Sequence, residues 1–354
     1  MMKLKGICYD VGNYYYFNWH PVFDLRIIHR ELEIIREDLH CNSVRISALS
    51  IDRLMSAAGD ALEQGLEVWL SPQMWDKSQR DTLKYITKAA SAAEKLRREW
   101  PDNLVFSVGS EFTLFVQGIE EGRNVQKRIS NPGLSSKLKA GGHNKPLNVF
   151  LAKANENVRT VFHGKVTYAS LVFEQVDWDL FDFVGVDHYR SKRIENKYVE
   201  LLKPSFTHNK PVVITEFGYA TSQAGIGSEG FIGSAGLGGN IVDERSLFLH
   251  HLPLLGRFVR PRIKGDHVRD EAWQAHQLVD QLAILDGAGV YGGFISQFAS
   301  PTWPNDENPT YDLDMASSSL VKSYADGRHG TTYPDMPWEP KESFRAVANY
   351  YATH

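Results

Sequence analysis

Residues 211–219 read Pro-Val-Val-Ile-Thr-Glu-Phe-Gly-Tyr, and residues 105–111 read Val-Phe-Ser-Val-Gly-Ser-Glu. Each is a short apolar run rich in β-branched or aromatic residues, the pattern of a buried strand. Each run ends on a glutamate, Glu216 in one and Glu111 in the other. A carboxylate seldom follows an apolar strand into a protein interior without a partner or a task. If both strands belong to one parallel closed sheet, the two glutamates stand at its C-terminal rim, where barrels of this kind build their sites.

Working outward, the same apolar pattern predicts eight strands: Lys5–Val11, Ser43–Ser47, Glu67–Leu70, Leu104–Val108, Lys165–Ser170, Phe183–Val186, Val212–Thr215 and Val290–Ser296. Amphipathic runs fall between them. Leu25–Leu39 sets Ile27, Ile28, Leu32, Ile35 and Leu39 on one helical face. Further helices are predicted at Asp52–Gln64, Gln79–Trp100 and Val149–Phe162, in a stretch ending near Leu285, and at Glu342–Tyr351. Strands alternating with helices give an α/β fold, and eight of them give a (β/α)8 TIM barrel, read as a single domain over residues 1–354. Three connections exceed the usual few residues: Gly118–Pro146, Gly218–Asp243 and Ala299–Pro340. They follow strands four, seven and eight, so they are expected to roof the rim that carries the glutamates.

The 354 residues carry a net charge of −4, which gives no overall pull toward nucleic acid or a membrane surface. Cys8 and Cys41 form no disulfide framework and are expected to be buried, reduced thiols. No Cys/His spacing suggests a metal, no run suggests a signal peptide or membrane span, and a cytoplasmic location is the expectation. Gly225-Ile-Gly-Ser-Glu-Gly230 matches a dinucleotide-binding pattern but lacks the preceding strand and following helix, and reads as a loop. His250-His251 reads as a packed pair, and the basic run Arg257–Lys264 as a solvated turn.

The motifs Val108-Gly-Ser-Glu111, Lys165-Val-Thr-Tyr-Ala169, Phe181-Asp-Phe-Val-Gly-Val-Asp187 and Pro211–Tyr219 resemble clan A of the retaining glycoside hydrolases, nearest to compact bacterial endo-β-mannanase-type barrels. The resemblance spans strands four to seven. It implies hydrolysis of β-linked sugars by double displacement, with Glu111 as acid/base, Glu216 as nucleophile, a carbohydrate or glycoside as partner and no cofactor. Such chemistry places the two carboxyls about 5–5.5 Å apart. It also implies that Arg45 holds the nucleophile ionised, and that either His188 or Tyr189 donates to it. Strand alternation allows only one of those two to point inward. Asp10 and Tyr9 after strand one, with Gln73 and Trp75 after strand three, fall where sugar contacts are expected. The chain departs from the clan twice. Ser110 stands where many members carry asparagine, and strand eight ends Ser-Gln-Phe298 rather than on tryptophan. Gln297 occupies that place, and Trp303 is the residue able to supply a sugar platform from the loop.

Plainer roles exist for each residue. Glu111 and Glu216 could form rim ion pairs, Arg45 a salt bridge inside the barrel, and the aromatics packing. At the level of function, the scaffold also suits a lyase, cyclase or transferase, or a sugar-binding module without turnover. The stretch Gly122–Pro146 carries Arg123, Lys127, Arg128, Lys137, Lys139 and Lys145 and no acid. It reads as a mobile cationic rim that steers anionic substrates, closes as a lid, or is simply solvated.

Overall fold

A computed structural model describes residues 1–12, 20–223, 241–250, 252 and 256–354. The Gly225–Gly230 pattern and His251 lie outside the described residues. Eight parallel strands close into a barrel in chain order: β1 (Leu4–Asp10), β2 (Ser43–Ala48), β3 (Glu67–Pro72), β4 (Leu104–Ser110), β5 (Lys165–Leu171), β6 (Val184–Asp187), β7 (Val212–Phe217) and β8 (Gly292–Ile295). β1 pairs with β2 on one side and with β8 on the other, Leu4 opposite Gly292.

The alternation along each strand separates two apolar layers. Val44, Ile46, Val68, Leu70, Phe106 and Val108 belong to the large core between the strands and the outer helices. Leu4, Cys8, Trp69, Val105, Phe183, Val213 and Phe294 form a second cluster. The Trp69 ring lies 4.9 Å from Phe183 and 5.3 Å from Phe294, and those strands are not neighbours in the sheet. They meet through the barrel interior, which is therefore filled with side chains rather than open. Both cysteines are free and buried.

The helices stand where apolar periodicity and capping residues coincide. Asp24 caps α1 (Leu25–Glu37), Ser50 caps α2 (Ile51–Glu63) and Ser78 caps α3 (Gln79–Glu99), each side chain accepting from a first-turn N–H. Three differences from the sequence reading concern the connections. Gly118–Pro146 is not a bare loop. After the single turn α4 (Phe112–Phe115) it contains α5 (Val125–Ile129) and α6 (Leu134–Ala140), which bury Val125, Leu134 and Leu138 against Trp75 and Phe115. α7 (Asn144–Arg159) begins five residues before the predicted Val149. Pro146 sits in its first turn, where a missing N–H costs nothing. Between β5 and β6 only the 3-10 turn Trp178–Leu180 stands in place of a helix, and between β6 and β7 only the short α8 (Tyr198–Leu202) with flanking 3-10 turns.

The chain continues through α9 (Glu244–His250) and α10 (Glu271–Gly287) to β8, and closes with α11 (Glu342–Thr353) against α10. The connection after β8 holds the antiparallel pair β9 (Val321–Ser323) and β10 (Trp338–Pro340). It is fastened by an ionic cluster in which Asp312, Asp314 and Lys341 are buried: Arg269 pairs with Asp312, Asp314 and Glu271, Lys322 with Glu271, and Lys341 with Asp314 at 2.8 Å. The basic run is not merely solvated, since Arg260 pairs with Asp306 and Arg262 with Asp243. Among the described residues, no helix is long and apolar enough to cross a membrane.

Candidate active site

Glu216 faces the barrel because β7 is irregular. Its register shifts against β6 at Asp187 and against β8 between Ile214 and Phe217. An extra residue in a strand re-aims the side chains beyond it. Thr215 and Glu216 consequently both find partners inside, while Phe217 packs with the outer core. β4 shows the same device, its register shifting between Ser107 and Ser110. Gly109 there has φ +153°, and a Cβ would lie 2.1 Å from the Phe112 ring, so only glycine fits. Glu111 follows with φ +50°, a left-handed conformation that costs a non-glycine residue of order 1–3 kcal/mol.

Neighbours hold Glu111 in that conformation. Its N–H donates to the Ala169 carbonyl at 2.9 Å. The next N–H, of Phe112, donates to Tyr168 Oη at 2.7 Å, and Tyr168 Oη donates to Glu174 Oε2 at 3.0 Å. Glu174 also accepts from the N–H groups of Thr113 (3.2 Å) and Leu171 (2.9 Å). Burial pushes the Glu174 carboxyl up to about 7, with these donors opposing the shift.

The two glutamates sit in opposite electrostatic settings. Glu216 Oε1 accepts from Arg45 Nη1, and Oε2 accepts from Tyr189 Oη at 3.1 Å. The Arg45 guanidinium is buried, and its Nη2 donates to Ser71 Oγ at 3.1 Å. Ser71 Oγ also accepts from Gln73 Nε2 at 3.2 Å, and Gln73 Oε1 accepts from Trp75 Nε1 at 3.2 Å. Trp75 and Gln73 are thus linked to Arg45 through Ser71 Oγ, which accepts from both sides. Glu111 is 3% exposed, and its Oε1 is buried without a hydrogen-bond partner among the described residues. Burial first, and the negative charges of Asp187 and Glu216 next, hold its carboxyl well above the usual range. One carboxyl is clamped by donors and the other is buried with an oxygen unengaged.

Of the pair at the end of β6, Tyr189 points to the nucleophile position and His188 does not. The His188 ring stacks on Tyr198 at 4.0 Å, and its Nε2 lies 2.9 Å from the Tyr198 carbonyl. Burial lowers this imidazole to about 4, so it is neutral. Asp10 lies at the end of β1, accepting from Ser47 Oγ. Tyr9 faces the other way, its hydroxyl on Glu31 beneath α1. Trp75 stacks on Phe115 with centroids 4.0 Å apart. Gln297 Nε2 donates to Ser300 Oγ at 2.7 Å. Trp303 is 3% exposed within an apolar cluster of Ile241, Val242, Ile263, Leu313 and Met315, which places it in the packing of the roof rather than as an open sugar platform. Ser110 Oγ donates to Asp187 Oδ2 at 2.9 Å.

The cationic rim read from the sequence is also corrected. Arg128 is fully buried, with Nη2 paired to Asp76, Nε on the Leu114 carbonyl and Nη1 on the Gly122 carbonyl at 2.8 Å. Lys137 pairs with Glu121. Sequence reasoning missed Asp187, Thr215, Ser71, Tyr168 and Glu174. Of these Asp187, Thr215 and Tyr168 carried a signal, each lying within a quoted strand motif, whereas Ser71 and Glu174 carried none. Among the described residues, no group of three or more His, Cys, Asp or Glu side chains is arranged to hold a metal ion.

No protein-family profile and no curated protein matches the chain. Solved structures do match. A GH113 β-1,4-mannanase structure aligns over 100% of both chains, with a TM-score of 0.59 and 14% identity. The fold is that of the GH113 β-mannanases. The GH113 β-mannanase of Alicyclobacillus acidocaldarius, in complex with ManMIm, aligns over 100% of this chain and 98% of its own, with a TM-score of 0.56 and 14% identity. A glycoside hydrolase family 5 enzyme from Prevotella bryantii B14, in complex with a xyloglucan tetradecasaccharide, aligns over 98% and 95%, with a TM-score of 0.55 and 11% identity. The likeness extends to the whole barrel, and at these identities it concerns the fold.

Proposed function

We propose that the protein is a retaining glycoside hydrolase acting on β-linked sugars. The observation that carries this reading is the contrast between the two carboxyls: Glu216 held by Arg45 and Tyr189, Glu111 buried with Oε1 unengaged and its carboxyl pushed up by that burial. Retaining hydrolysis needs that division, one carboxylate to attack and one acid to give a proton.

In the first step Glu216 attacks the anomeric carbon as the glycosidic C–O bond breaks, and Glu111 passes its proton to the leaving oxygen. Arg45 and Tyr189 fix the attacking carboxylate in line. A glycosyl ester on Glu216 results, and Glu111 is now ionised. In the second step Glu111 takes a proton from water, the water oxygen attacks the anomeric carbon, and the ester bond to Glu216 breaks. Both groups return to their starting states with net retention. The fold shared with GH113 and family 5 hydrolases supports the scaffold half of this reading. The glycone proposed is a neutral hexose.

The test uses aryl β-glycosides. Glu216→Gly should abolish turnover, and added azide should restore it by giving the glycosyl azide of inverted configuration. Glu111→Ala should spare the first step for an activated aryl leaving group, and azide should then give the azide of retained configuration. Exchange of these two behaviours would reverse the assignment, and absence of any glycoside cleavage by the wild type would remove it.

A further inference from the structure

Asp187 takes no part in the reaction just described, yet it is hydrogen-bonded to the neighbours of both glutamates. It is fully buried at the end of β6. Oδ2 accepts from Ser110 Oγ at 2.9 Å, and Oδ1 accepts from Thr215 Oγ1 at 2.6 Å. Ser110 immediately precedes Glu111, and Thr215 immediately precedes Glu216. One carboxyl group therefore ties together the residues behind both glutamates, at the two places where β4 and β7 leave regular register. The serine contributes here in a way the sequence did not suggest, since its hydroxyl is turned to Asp187.

We infer that Asp187 is a positioning residue for Glu111: it anchors the two irregular strand ends through Ser110 and Thr215 and sets a third carboxyl beside the acid. This rests on the reading of Glu111 as the acid. The charged groups facing Asp187 are Glu216 from β7, Arg45 from β2 and Glu111 from the end of β4, with the hydroxyls of Ser110 and Thr215 completing its surroundings. Arg45 is already paired with Glu216, so three carboxyls share one guanidinium. They cannot all ionise together at neutral pH without repulsion in a buried site. Burial, then the charge of Glu216, pushes Asp187 up to about 7, while its two hydroxyl donors and Arg45 favour its ionised form. Glu111 has an Oε1 without such a donor, and burial first, with Asp187 as the leading charge acting on it, raises its carboxyl as well. The charge of Asp187 thus resists the loss of the Glu111 proton.

The experiment reads protonation directly, without a substrate. Protein labelled with ¹³C at the Asp and Glu carboxyl carbons is titrated by NMR, and the two resonances are identified by their loss in Asp187→Asn and Glu111→Gln. In the wild type Asp187 should titrate with a midpoint about 7 and Glu111 well above the ordinary carboxyl range. In Asp187→Asn, which keeps the size and one acceptor, the Glu111 midpoint should fall by about one pH unit or more. An unmoved Glu111 midpoint would overturn the inference. If Asp187→Asn does not fold, the wild-type titration decides alone, and a Glu111 midpoint in the ordinary carboxyl range overturns the inference. A purely architectural Asp187 would change stability and leave the Glu111 titration in place. Failure of all glycosides as substrates would sink the proposed function but leave this titration readable. Where a substrate is found, the alkaline fall of kcat/KM should move to lower pH in Asp187→Asn.

Discussion

Arg128 offers a sharp test of whether the segment after β4 is a folded sill or a cationic rim. Its guanidinium is fully buried and engages Asp76 and the carbonyls of Leu114 and Gly122, while Asp76 also accepts from the Val125 N–H at 2.9 Å. Arg128→Met keeps the volume but strands the Asp76 charge among buried neighbours. Breaking a buried pair from one side costs about 3–5 kcal/mol. Adding Asp76→Asn removes the stranded charge, so the double variant should be more stable than Arg128→Met alone, with a favourable coupling of about 1–3 kcal/mol. The assay is urea unfolding followed by tryptophan fluorescence, with stability and slope fitted for wild type, both single variants and the double. The sill reaches Trp75, so its loosening should be visible in the same signal. A loss below about 1 kcal/mol for Arg128→Met is what a solvated pair would give. That result, or simple additivity of the two single variants, would refute the argument.

Two further outcomes follow from the charges at the barrel mouth. Glu174 sits near 7 in the folded protein against an ordinary carboxyl value of 4.5. The folded state then holds a proton that the unfolded chain releases, so the stability contribution is full below about 4.5 and is lost as pH rises through 7. Thermal melts at pH 5 and pH 8 should show the wild type losing more stability than Glu174→Gln across that interval, and equal losses would contradict the assignment. Glu111, Asp187 and Glu216 face a single guanidinium, Arg45, which Glu216 already occupies. Aryl β-glucuronides should therefore be cleaved at least tenfold less efficiently than neutral aryl β-hexosides, with comparable kcat/KM as the result that counts against it.

The barrel was legible because its strands are short apolar runs with helical periodicity between them, and both glutamates were legible because each terminates such a run. Arg45 was readable as the one cation inside an otherwise apolar or small-residue strand, Ser-Val-Arg-Ile-Ser. The choice between His188 and Tyr189 was not, because it depends on where a strand slips register, and one extra residue reverses every side chain beyond it. Pro146 marked a loop by composition although it sits comfortably in a first helical turn. Arg128 counted as one surface cation among six, since nothing local reveals that Asp76, from another connection, will meet it. Trp303 looked like a platform because tryptophans often are, but its neighbours in space come from the segment around Ile241 and Ile263, far away in sequence. What sequence withheld in each case was a long-range contact.

The seam between β1 and β8 has a bearing on how the protein is made. Every other seam of the barrel joins strands consecutive in the chain, whereas this one pairs Leu4 with Gly292 and Ile7 with Ile295. It is also close, since a Cβ on Gly292 would come within 2.3 Å of Leu4 and one on Gly6 within 2.4 Å of the Phe294 ring. During synthesis β1 emerges first and waits with one open edge until β8, its partner there, has left the ribosome. Bringing such distant segments together is slow, and unpaired edges recruit other chains in the meantime. Yield in a cell should consequently depend on translation speed and on chaperones that shield nascent edges, and a bulkier residue at Gly292 should appear as aggregation of newly made protein before any loss of activity in the fraction that folds.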